Sequence, residues 1–205
     1  MKDTGSQASK RALIITFYFP PFHRSSGILR TLKFVRYLAD FGYEPIVLTA
    51  SPRAYDTKDD QILAQIPVNV GVARTFALDT KKHLSIRGAY FDFMAWPDRY
   101  VSWIPSAGLE GMNLIRDIKI DVIFSSYPVA SAHLVGLLLH RMTRRPWIAD
   151  FRDPVWDAYS PFNNKLLKIK KNIERKAVRN ASCVVVTTEG MRQLFRERYK
   201  VMDAK

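Results

Sequence analysis

Arg11–Tyr18 reads RALIITFY, and Glu44–Thr49 reads EPIVLT. The stretch between these two short apolar runs decides the fold. The first run is β-rich and is closed by Pro20-Pro21, as a buried strand would be. A polar loop follows, His23-Arg24-Ser25-Ser26-Gly27. Ile28, Leu32, Val35 and Ala39 then fall at helical spacing, with Gly42 placed to stop the helix. Strand, helix and strand within about forty residues form a βαβ unit.

The alternation continues down the chain. Asp56–Ile66 is expected as a short helix capped by Asp56 or Thr57, Val68–Phe76 as a third strand and Ser106–Ile118 as a helix. Strand Asp121–Ser125, helix Ser131–Met142, strand Pro146–Phe151 and a long basic helix Pro161–Arg179 come next. Ser182–Thr187 and Glu189–Tyr199 supply the last strand and helix. Short apolar strands separated by helices predict an α/β, Rossmann-like, doubly wound and mostly parallel sheet of six to seven strands, with helices on both faces. Residues 1–10 are expected as a flexible N-terminus and 11–205 as one domain.

Composition narrows the function classes. The 205 residues are 47% hydrophobic and 25% charged, which suits a globular core. Lys and Arg number 32 against 19 Asp and Glu, a formal net charge of +13. Between Ser160 and Lys205 twelve basic residues face four acidic ones, so +8 of that excess lies in the last stretch. Such a balance favours an anionic partner. No recognised nucleic-acid module accompanies the charge, and none is expected as a partner. The one cysteine, Cys183, excludes an internal disulfide and a Cys-based zinc or iron–sulfur site. It sits in an apolar run and is expected as a buried thiol. The polar Met1–Lys10 is unlike a signal peptide, and no apolar stretch nears the roughly 20 residues that cross a bilayer. The expected location is cytoplasmic, with peripheral contact on the inner face of the cell membrane.

In an open parallel sheet ligands bind outside the carboxyl ends of the strands, so the loops there carry the candidate chemistry. The loop Ser25-Ser26-Gly27 opens a helix whose free N–H groups suit a phosphate, with Arg24 and Arg30 adding charge; it also reads as an ordinary capped helix start. Neither G-x-G-x-x-G nor a Walker A lysine is present. Ser125-Ser126-Tyr127-Pro128 leads into the helix bearing His133, which either faces the cleft as a base or packs inside. Asp150-Phe151-Arg152-Asp153-Pro154-Val155-Trp156-Asp157 is the densest polar cluster. Asp150 pairs with Arg152 in this reading, leaving Asp153 to accept hydroxyl hydrogen bonds and Trp156 to pack on a sugar ring. No residues are spaced to complete a metal site. Thr188 and Glu189 cap the last helix or meet a ligand.

Two further features bear on partners. Tyr90, Phe91, Phe93, Trp96, Tyr100 and Trp103 crowd together between Arg87 and Arg99 or just beyond it, which suits a bilayer interface or core filling. In the basic helix, Leu166, Ile169, Ile173 and Ala177 form one apolar face, and lysines and arginines cover the rest, as a solvated face or as a contact for anionic lipid.

Taken in order, the residues resemble a known family. The first strand, Phe19-Pro20-Pro21, Ser26-Gly27, Pro97-Asp98, Trp103-Ile104-Pro105, Ser126-Tyr127-Pro128, His133, Pro146–Pro154, Glu174, Ala177 and Thr187-Thr188-Glu189 resemble the N-terminal domain of family-four retaining glycosyltransferases, especially bacterial members that build surface polysaccharide. The likeness runs from Arg11 to Tyr199. It implies one half of a GT-B fold, holding a glycan or lipid-linked acceptor, while a C-terminal domain binds the nucleotide-sugar. That second domain is not in this sequence and is expected in cis or in trans, and the chain alone is expected to be inactive. No metal or other cofactor is implied beyond the nucleotide-sugar co-substrate. By this resemblance Ser25, Ser26, Gly27 and Arg30 belong to the donor-diphosphate loop. His133 and Asp153 are the catalytic candidates, and Ser126, Tyr127, Arg152, Trp156 and Glu189 meet the acceptor. Two departures stand out: Ser-Ser-Gly replaces the paired glycines of many members, and Ser125-Ser126-Tyr127 stands where many carry a histidine. A non-catalytic membrane-surface module that kept the fold is the alternative.

Overall fold

A computed structural model describes residues 9–24, 26–85, 89–157, 159–160 and 162–200. Six parallel strands form one sheet in the order β3-β2-β1-β4-β5-β6. They are β1 (Lys10–Ile15), β2 (Tyr43–Ala50), β3 (Gly71–Thr75), β4 (Val122–Ser126), β5 (Trp147–Phe151) and β6 (Cys183–Val186). The helices are α1 (Ser26–Tyr37), the single turn α2 (Thr80–His83), α3 (Trp103–Asp117), α4 (Ala130–Thr143), α5 (Asn164–Asn180) and α6 (Glu189–Tyr199). The strand order reverses beside β1, so β1 and β4 flank a topological switch point. Register confirms the layout: Ile14 lies opposite Val47 on one side and Phe124 on the other.

The central strands are apolar because both faces are covered. Leu13, Ile14 and Ile15 are fully buried, each worth about 1.5–3 kcal/mol of transfer free energy. Ile28, Leu32 and Val35 of α1 bury one face of that helix, as their spacing requires. Two buried indoles anchor the opposite layer, where α3 packs on α4 and α4 on α5. Trp103 donates to Thr75 Oγ1 and Trp147 to Ser125 Oγ, both at 2.8 Å, so neither N–H is stranded. Trp147 slides beneath α4 at Gly136, where a Cβ would meet its Nε1 at 2.6 Å and Cε2 at 2.9 Å.

Several boundaries differ from the sequence expectation for local reasons. The first strand leaves the sheet at Ile15, and Thr16–Phe22 turns into an aromatic loop where Phe17 stacks on Tyr100. After Tyr37 the first helix tightens into a 3₁₀ turn, Leu38–Phe41, closed by Gly42 at φ 76°. Asp56–Ile66 is not an α-helix. Asp59, accepting from the Gln61 N–H, caps a 3₁₀ turn over Asp60–Gln65. The third strand is only Gly71–Thr75, and α3 begins at Trp103. The basic helix begins at Asn164, where the Asn163 side chain accepts from the Leu166 N–H. Cys183 is half-exposed rather than buried, because β6 is the edge of the sheet. Residues 1–8 and Arg87 lie outside the described residues.

Candidate functional site

The carboxyl ends of β1, β4, β5 and β6 open on one edge of the sheet. Asp150, the fourth residue of β5, is completely buried there. Its two carboxylate oxygens accept from Arg30 of α1, Nη2 at 2.6 Å and Nε at 3.1 Å, and one also accepts from Ser126 Oγ at 2.9 Å. The Asp150 carbonyl accepts the Tyr127 N–H. One carboxylate therefore ties α1, β4 and β5 together, and the expected Asp150–Arg152 pair gives way to Asp150–Arg30. A bidentate guanidinium is the partner that makes a buried carboxylate tolerable. Arg30 thus positions α1, and Ser126 is buried in the same network.

Strand alternation then sorts the neighbouring residues. Ser125 points to the other side, where its hydroxyl receives the Trp147 indole N–H and bonds His133 Nδ1 at 2.8 Å. His133 is 1% exposed, against the ring of Phe151 and beneath that of Tyr127. Burial drives its pKa down to about 3, so the imidazole is neutral. Of the two readings of His133, the structure takes the packed one: its phase on α4 turns it into the core, and Nε2 is enclosed without a hydrogen-bond partner among the described residues.

Residues just past the strand ends do reach the surface. Asp153 is exposed, with no ion pair among the described residues. Tyr127 is half-buried, and burial, together with the Asp153 charge, pushes its phenol up to about 12. It keeps its proton, and so can donate, at any physiological pH. Arg152 is half-exposed, and its carbonyl accepts from Thr187 Oγ1 at 2.9 Å. Arg152 and Thr187 border a groove of about 740 Å³ whose other wall is α1, through Leu29, Arg30, Lys33 and Tyr37. The wall was legible as a second four-residue stripe on α1, one position after the core stripe of Ile28 and Leu32.

Other candidates lie elsewhere. Ser25 falls outside the described residues, and Ser26 and Gly27 open α1, which has no acidic residue in its first turn. The start of α4 is different: Asp98 fills it, accepting from the Ser131 N–H at 2.8 Å and from its hydroxyl. That capping role of Pro97-Asp98 was missed, since 33 residues separate the partners. Trp156 is not free to take a sugar on its ring, because Lys171 and Arg198 sit over it at 4.2 and 4.0 Å. Glu189 is engaged by Arg192 at the start of α6, and Thr188 caps that helix. The aromatic run divides: Tyr100 and Trp103 fill the core, whereas Phe91 and Phe93 stack on each other while 71% and 63% exposed. No group of three His, Cys, Asp or Glu side chains gathers in a metal-holding arrangement among the described residues. Nor is any helix among them long and apolar enough to cross a membrane.

Known structures share this architecture. Sucrose-phosphate synthase from Thermosynechococcus elongatus superposes with a TM-score of 0.66 at 13% identity, over 96% of this chain and 47% of that one. HepE from Anabaena, solved with UDP-glucose, gives 0.55 at 15% identity, over 92% and 40%. UGT2 from Phytolacca americana gives 0.59 at 12% identity, over 87% and 46%. At these identities the likeness shows the fold, and the chain spans less than half the length of each. No curated protein matches the sequence. The model of the glycosyl transferase 4-like domain matches residues 28–205. With a six-stranded Rossmann-like sheet corresponding to one half of a GT-B enzyme, the chain belongs to the glycosyl transferase 4-like family.

Proposed function

We propose that this chain is the acceptor-side half of a glycosyltransferase that moves a sugar from a nucleotide-sugar to a polysaccharide or lipid-linked acceptor. The observation that carries the reading is the placement of Tyr127 and Asp153 just beyond the carboxyl ends of β4 and β5, a hydroxyl donor and an exposed carboxylate on the same open edge of the sheet. Sugar hydroxyls need such paired donors and acceptors. The start of α1 at Ser26 and Gly27, with no acidic residue in its first turn, supplies the phosphate-facing end of the cleft in this reading. HepE was solved with UDP-glucose, which supports a nucleotide-sugar as the co-substrate. In this proposal Asp153 acts at the acceptor hydroxyl, and His133 supports Tyr127 from below. Donor binding falls to a C-terminal domain, in cis or in trans.

Transfer assays with labelled nucleotide-sugars test this. Label should enter glycan or lipid only when the chain is joined to a donor-binding domain of this family. Transfer by the chain alone would show that its own groove suffices and would contradict the two-half reading.

The exposed Phe91–Phe93 pair favours one addition, peripheral contact with an anionic membrane surface at the cytoplasmic face. Buried His133 favours the alternative, a binding module without catalysis, since the histidine of α4 is turned into the core. A joined assembly that binds acceptor yet transfers nothing would select that alternative.

A further inference from the structure

Helix α5 presents Lys165, Lys168, Lys171 and Arg175 to solvent, and its one acid, Glu174, is buried and held by Arg198 and the Val155 N–H. Among the described residues none of these four cations has a carboxylate partner. They line a groove of about 950 Å³ between α5, α6 and Trp96. From residue 165 to residue 175 the helix rises roughly 15 Å. The Lys171 ammonium rests over the Trp156 ring, an arrangement that fixes the cation without cancelling its charge. The positive charge is therefore positioned and uncompensated.

We infer that this groove binds an anionic oligosaccharide, one carrying carboxylate or phosphate groups along its length. The inference rests on the acceptor-side reading and names the class of acceptor. Three observations select a chain-like polyanion. The cations are strung along a helix instead of clustered at a point. They border a recess, which a flat bilayer does not enter. Trp96 offers an indole in the same recess, suited to a sugar ring. The helix also starts on the side of the sheet where β5 ends, so a glycan lying along α5 leads toward Asp153 and Tyr127. The growing chain occupies the groove, and its terminal sugar occupies the site.

Tryptophan fluorescence of the full chain, titrated with hexagalacturonate, maltohexaose and phosphatidylglycerol vesicles, tests the inference. Hexagalacturonate should bind at least about tenfold more tightly than the neutral hexamer, and Lys168→Glu with Arg175→Glu should remove about that advantage at unchanged Tm. Equal binding of both hexamers, or an unaffected double variant, would overturn the inference. So would a double variant that loses vesicle binding while neither form binds hexagalacturonate, which would assign the cations to a bilayer. Sugar transfer by a joined assembly without hexagalacturonate binding would sink the groove alone. Groove binding without transfer would leave the groove and sink the acceptor-side reading.

Discussion

The carboxyl ends of β4 and β5 and the outer face of α5 treat charge in opposite ways. At the strand ends Asp150 is fully buried and satisfied by Arg30 and Ser126. On α5, exposed cations stand without a carboxylate partner among the described residues. The first arrangement costs desolvation and repays it in geometry, fixing where α1 meets the sheet. The second contributes little to the fold and leaves its charge available to something else. Paired polar groups report on architecture, and unpaired ones report on ligands.

The contrast breaks most visibly at Asp150. Asp150→Ala should strand the Arg30 guanidinium, which is 28% exposed, and cost about 3 kcal/mol, at the low end of the range for a broken buried pair. For a chain of this size that lowers Tm by roughly 6–12 °C, readable by calorimetry. A loss under 1 kcal/mol would mean the pair is not the tie described here. Gly136→Ala comes next. Its methyl would press on the Trp147 indole, and overpacking of this kind costs about 1–3 kcal/mol in a denaturant titration.

His133 gives a pH signature. Its folded pKa, near 3, lies below the ordinary value of 6.5, so the unfolded chain binds a proton that the folded chain refuses. The stability it supports is complete above pH 6.5 and drains away as the pH falls toward 3, at up to about 1.4 kcal/mol per unit. His133→Asn should flatten that slope between pH 6.5 and 4, relative to the wild type. An unchanged slope would place the histidine in contact with water. The smallest effect belongs to α5: Lys168→Glu with Arg175→Glu should alter stability by no more than about 0.5 kcal/mol, as exposed substitutions do. A larger loss would show that these cations hold the fold together.

The same comparison explains what the sequence disclosed. Strand runs such as RALIITFY and DVIFS were legible because burial on both faces demands unbroken apolar residues. The loops at the carboxyl edge followed from topology alone, and with them Tyr127, Arg152 and Asp153. Partners were not legible. Arg30 and Asp150 are 120 residues apart, and only the packed sheet brings them together. The phase of α4 that buries His133 depends on how Gly136 admits Trp147, a contact with no local signature. Trp156 reads as a sugar platform until Lys171 and Arg198 are seen over its ring.

The central claim is that the residues just beyond the strand ends, and not those buried within them, meet the sugar acceptor. Tyr127→Phe with Asp153→Asn, placed in an assembly with a donor-binding domain, tests it through the rate of labelled sugar transfer alongside Tm. The account predicts a rate reduced by about a hundredfold or more, in the range typical of a lost acid–base group, at a Tm within about 2 °C of the parent. Full transfer by the double variant would contradict it.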